Sequence, residues 1–143
     1  DAHFNLGNIL KDQGKLREAV ISIQKAIAIN PNLAIAYLNL GIIFKSLGEL
    51  KEAELSTRKA IELKPHLAEA YYNLGNILID LQKLDEALSS FKKSIELKID
   101  YKLGIAGIGT VLISQGKHIE GLQKLKSGEG SIIFDLKNGL SIM

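Results

Sequence analysis

The hexapeptide Asn5-Leu6-Gly7-Asn8-Ile9-Leu10 occurs twice in this chain, returning as Asn73-Leu74-Gly75-Asn76-Ile77-Leu78, with the variant Asn39-Leu40-Gly41-Ile42-Ile43-Phe44 midway between them. The offsets 39 − 5 and 73 − 39 are both 34. A fixed period of this size marks a stacked array, in which each unit buries its apolar face only against its neighbours. With Pro31 and Pro65 set at repeat position 32, the units are 1–33, 34–67, 68–101 and a degenerate 102–127. Position 8 then reads Gly7, Gly41, Gly75 and Gly109, and position 20 reads Ala19, Ala53, Ala87 and Gly121.

Each unit predicts two helices. In the first, mostly apolar or aromatic residues recur at positions 4, 7 and 11, as His3/Leu6/Leu10, Tyr37/Leu40/Phe44, Tyr71/Leu74/Leu78 and Ile105/Ile108/Leu112. That is the stripe of an amphipathic helix. Gly14, Gly48 and Gly116 then stop it, with Gln82 in that place in the third unit. The second helix carries Ala19/Ile23/Ala26/Ile27 and their counterparts, and Pro31 and Pro65 close it, because proline cannot continue a helix. Glycine inside a helix costs about 1 kcal/mol against alanine. Its recurrence at position 8 predicts a close approach by the partner helix's alanine. In the last first-helix Gly104, Gly107 and Gly109 are expected to weaken the helix.

Past residue 127 the pattern changes. Ser127-Gly128-Glu129-Gly130-Ser131 is a breaker, Ile132-Ile133-Phe134-Asp135-Leu136 has strand composition, and Asn138-Gly139 is a hairpin signal. Residues 128–143 are expected to form an extended or β-hairpin tail, folded over the apolar face of the last helix (Ile119, Leu122, Leu125), with the start of a further domain as the alternative.

The net charge of +2 gives no electrostatic case for nucleic acid or an anionic membrane surface. The uncharged run Leu103 to Gly116 is shorter than the roughly 20 apolar residues of a membrane-spanning helix. Without cysteine there is no disulfide or thiolate chemistry, which fits a reducing, cytoplasmic setting. The first residues, Asp1-Ala2-His3-Phe4, open partway into a repeat and read as part of something longer. The histidines His3, His66 and His118 fall at repeat positions 4, 33 and 17 and share no helix face, so no metal site is expected. Gly104, Gly107 and Gly109 stand in the reverse of a dinucleotide-binding order and follow no strand. Neither a phosphate-binding loop nor a nucleophile elbow is present, so no enzymatic activity and no cofactor are expected.

The pattern closely resembles the tetratricopeptide repeat family: the aromatic at position 4 (Tyr37, Tyr71), Leu-Gly at 7 and 8, alanine at 20 and 27, and proline at 32. The Asn-Leu-Gly form, with Glu-Ala at 18–19, 52–53 and 86–87, is most similar to the superhelical arrays of O-linked N-acetylglucosamine transferase-like proteins. The resemblance implies an all-α, right-handed superhelix of antiparallel helix pairs, an α-solenoid, with first helices lining a concave groove.

Positions 2, 6, 9 and 13 form a polar stripe nearly opposite the apolar one. Position 6 is Asn5, Asn39 and Asn73; around it stand Asn8, Asn76, Lys11, Lys45, Asp12, Asp80 and Glu69. Asparagine is a mediocre helix former where Lys or Glu would be the usual filler. Helices packed about 8–10 Å apart would set one amide against roughly every third residue of an extended chain rising about 3.3 Å per residue. A carboxamide can pair with a peptide N–H and C=O together. Similar arrays are thought to grip extended peptide in this way, which makes Asn5, Asn39 and Asn73 a candidate ladder and the other seven residues candidates for side-chain selectivity. Another mode of such repeats clamps a C-terminal carboxylate, but two of its basic positions hold Phe4 and Glu69 here. The function expected is a scaffold for an extended segment of a protein partner. The alternatives are a substrate-presenting accessory domain of a larger enzyme, such as a glycosyltransferase, and weak self-association through the array ends.

Overall fold

The computed structural model describes residues 2–97, 99, 101–129, 132–135 and 139–142. Eight helices run through them: α1 (Ala2–Asp12), α2 (Leu16–Ile29), α3 (Ala34–Ser46), α4 (Leu50–Leu63), α5 (Ala68–Asp80), α6 (Leu84–Glu96), α7 (Tyr101–Ser114) and α8 (His118–Glu129). They pack as the pairs α1/α2, α3/α4, α5/α6 and α7/α8. The result is a solenoid of helical hairpins. Two four-residue strands follow, β1 (Ile132–Asp135) and β2 (Gly139–Ile142), paired antiparallel with Ile132 opposite Ile142. Asn138 of the expected turn lies outside the described residues.

The turn inside each pair is the same motif four times. The second residue after each first helix is left-handed, and the next amide reaches back five residues: Lys15 to the Leu10 carbonyl, Glu49 to Phe44, Lys83 to Leu78 and Lys117 to Leu112, at 2.8–2.9 Å. This satisfies carbonyls that the helix end leaves unpaired. The second helices end differently. Residues at Pro31 and Pro65 have no N–H to give, but in the third unit Ile99 donates to the Ser94 carbonyl at 2.9 Å.

Core clusters form across unit boundaries. Ala19, Val20 and Ile23 of α2 join Ala36, Leu40 and Ile43 of α3. Likewise Leu74, Leu78, Ala87 and Phe91 join Ile105, Ile108 and Val111. Repeat positions 3 and 10 are therefore as central as the 4, 7, 11 stripe: Ala36, Ala70, Ile43, Ile77 and Val111 are fully buried. No unit carries a complete core alone.

The position-8 glycines do allow close approach, but the intruder is chiefly the residue at position 24. A Cβ on Gly7, Gly41 or Gly75 would collide with Ile23, Thr57 or Phe91, and the carbonyls of Ala19 and Ala53 come next. The three glycines of α7 leave an unbroken helix of 14 residues and admit neighbours along it. Gly104 faces Ile95, Gly107 faces Phe91, and Gly109 faces the Gly121 carbonyl and Leu125.

First helices also touch one another in series, α1–α3, α3–α5 and α5–α7, whereas among the described residues no second helix comes as close to the next second helix. Layers closer on one side than the other must curve toward that side. The first helices form the inner wall.

Candidate functional site

The inner wall brings part of the sequence-derived set together. Asn39 Nδ2 donates to Asn8 Oδ1 at 2.6 Å, across the seam between α3 and α1. Positions 6 and 9 of successive units therefore share one surface. One turn further along, Lys45 reaches Asp80 Oδ2 at 2.9 Å across the seam between α3 and α5. Other members stay on their own helix: Asn73 Nδ2 donates to the Glu69 carbonyl at 2.9 Å, and Lys11 stands 3.8 Å from Asp12. Asn5 is exposed, and Asn76 is half-buried. One bond does not exhaust a carboxamide, which has two donor hydrogens and an accepting oxygen.

The amide series ends after three units for a steric reason. Position 6 of the fourth unit is Gly107, and a Cβ there would lie 2.5 Å from the Phe91 ring. Phe91, edge-on to Tyr72 with centroids 5.6 Å apart, fills the volume between α5 and α7.

The outer side is spanned by longer groups. Arg17 pairs with Glu49, Lys83 with Glu54 at 2.9 Å, and Arg58 with Glu86 at 2.7 Å, each joining successive second helices or their starts. Gln115 Nε2 donates to Asp85 Oδ1 at 3.0 Å. Burial pushes the Glu54 carboxyl up, but hydrogen bonds from Lys83 and Arg58 outweigh it and hold the group below the usual carboxylate value. Burial likewise lowers Arg58, and Glu54 and Glu86 more than restore it. Hydrogen bonds to Glu62 and Glu96 raise Lys59 and Lys93.

Between α4 and α6 lies a groove of about 520 Å³ with Arg58, Ile61, Tyr71, Leu74, Ser89 and Lys93 in its lining. Periodicity gives no signal for it, because its width comes from the splay of the second helices. Among the described residues no group of histidines and carboxylates is placed to hold a metal ion, and no helix is long and apolar enough to cross a membrane.

Residues 7–48 match a family model described as TPR repeat, and residues 34–67 and 68–101 each match one described as Tetratricopeptide repeat. No curated protein sequence matches the chain. Among solved structures, a crystal structure of MamA is 26% identical, with a TM-score of 0.81 over 90% of this chain and 75% of that one. MamA from Desulfovibrio magneticus RS-1, residues 41 to the end, has a TM-score of 0.81 at 19% identity, over 90% of this chain and 72% of that one. The first TPR of Spaghetti (RPAP3), bound to the HSP90 peptide SRMEEVD, is 23% identical, with a TM-score of 0.77 over 80% of this chain and 91% of that one. At these lower identities the likeness is one of fold alone. With family models matching residues 7–101 and helices packed in successive antiparallel pairs, the chain belongs to the tetratricopeptide repeat family.

Proposed function

We propose that this array is a protein-interaction scaffold that holds an extended segment of a partner along its inner wall. In this reading Asn5, Asn39 and Asn73 bond the partner's backbone, and Asn8, Asn76, Lys11, Lys45, Asp12, Asp80 and Glu69 select among its side chains. The observation that carries it is the Asn39–Asn8 bond, since amides that meet across a seam stand where one chain crossing both units would meet them too. An incoming peptide would exchange that bond for its own, at little net cost, because hydrogen bonds are traded rather than created. The RPAP3 repeat held by its HSP90 peptide supports a peptide as the class of partner. Residues 1–127 make up the module, and Ile119 of α8, which the sequence expects the tail to cover, stays exposed.

The test replaces Asn5, Asn39 and Asn73 with alanine and measures capture of a library of extended random-sequence peptides. Three lost bonds of about 1 kcal/mol each weaken capture roughly 100-fold, with helicity by circular dichroism unchanged. Equal capture by the variant rejects the ladder. SRMEEVD itself serves as a control: with Phe4 and Glu69 where a carboxylate clamp needs cations, it binds no better than its scrambled form.

A further inference from the structure

At repeat position 2 the inner wall changes character from unit to unit. Ile35, Glu69 and Leu103 hold that position in the second, third and fourth units, and all three are exposed, Ile35 by 37% and Leu103 by 48%. Ile42, at position 9 on the same helix face as Ile35, is half-buried where the first and third units carry Asn8 and Asn76. Along its helix Asn39 therefore stands between two apolar side chains, and Asn73 between Glu69 and Asn76.

Glu69 is the charge this wall leaves over. Lys45 takes Asp80, and Lys11 stands beside Asp12. The Glu69 carbonyl accepts Asn73 Nδ2, but among the described residues no ion pair joins its carboxylate. The wall thus runs apolar, acidic, apolar across α3, α5 and α7.

Spacing turns this order into a reading frame. Packed helices lie about 8–10 Å apart, and a polyproline II segment rises about 3.1 Å per residue with about three residues per turn. One turn of such a segment spans one unit, and every third side chain returns to the wall. A β-strand would not do this, because its side chains alternate and a residue three further on points away. A polyproline II backbone also makes no internal hydrogen bonds, so its N–H and C=O groups are open to Asn5, Asn39 and Asn73.

We propose that the inner wall selects a partner segment in polyproline II form that carries an apolar residue, a Lys or Arg, and a second apolar residue, each one turn apart. The first meets Ile35 and Ile42, the basic residue meets Glu69, and the last meets Leu103. The pattern reads the same from either end, so it holds for both directions of the bound chain. It rests on the reading that the inner wall takes an extended segment, and adds which side chains that segment carries.

The test uses the capped, fluorescein-labelled peptide Leu-Pro-Ala-Arg-Pro-Ala-Leu and its fluorescence anisotropy with the full chain. Glu in place of the peptide's Arg weakens binding about fivefold, and Glu69→Lys in the protein reverses that preference. One Ala inserted on each side of the Arg weakens binding to a similar degree, because the turns no longer match the units. Ile35→Asn weakens binding about fivefold and leaves the preference for Arg intact. Both replaced side chains are exposed, and circular dichroism establishes that the variants are folded. Equal binding of the Arg and Glu peptides, a preference that Glu69→Lys leaves unchanged, or no binding of either peptide overturns the proposal. The triple alanine variant of Asn5, Asn39 and Asn73 separates this from the ladder. An Arg preference with affinity unchanged in that variant supports the side-chain pattern and rejects the ladder; amide-dependent capture with no Arg preference rejects the pattern and keeps the ladder.

Discussion

Gln82 holds a φ of 60° at the turn where Gly14, Gly48 and Gly116 hold 76°, 77° and 81°. A side chain in that conformation strains against its own carbonyl, at roughly 1–2 kcal/mol, and glycine loses part of the difference through its freer unfolded chain. Gln82→Gly is therefore expected to raise the free energy of unfolding by about 1 kcal/mol, measured by urea denaturation. Gly107 runs the other way. Gly107→Asn would continue the amide series on paper, but the new side chain meets the Phe91 ring. It should destabilise by about 2 kcal/mol, as overpacking does, and Phe91→Ile in the same chain should recover part of that in the same assay. Of these residues, Gln82 was legible as a break in the glycine series, because turn chemistry is local. The role of Gly107 was not: its cause is an aromatic ring 16 residues earlier, one unit back, and spacing says nothing about which large side chain leans where.

At the scale of the helix, the seams differ in what bridges them. Glu54 is the centre of the outer seam, its side chain 13% exposed and bonded to both Lys83 and Arg58. Because its folded pKa is depressed, the stabilisation is present above the ordinary value of 4.5 and fades as pH falls through the folded value. Glu54→Gln should cost about 1 kcal/mol at neutral pH, modest because Arg58 and Lys83 are more than a third exposed and screened by solvent. The difference from wild type should close in acid below pH 4.5, followed by thermal unfolding across pH. Helix number, pairing and order were all legible from the 34-residue period, since a 3.6-residue periodicity repeated four times leaves little else to fold into. Less legible was which side of each helix is deepest. Position 3 is alanine or glycine and position 10 lies off the 4, 7 and 11 stripe, so neither stands out from one unit alone.

Across the whole molecule, every core cluster is shared between successive pairs, and stability is a property of neighbours rather than of units. Hydrogen exchange should be slowest in α3 to α6, which have pairs on both sides, and faster in α1; uniform protection along the chain would contradict nearest-neighbour stabilisation. The curvature itself was an expectation taken from resemblance, and in the structure it follows from first helices touching in series while second helices stand apart. The seams are tied by different materials: a 2.6 Å amide bond inside between α1 and α3, the Lys45–Asp80 ion pair inside between α3 and α5, and long charged side chains outside. Such a body behaves as a spring whose first inner seam is neutral and whose other side-chain ties are ionic. Dissolved salt loosens the ionic ties and leaves the Asn39–Asn8 bond, so ionic strength softens the coil everywhere but at its first inner seam.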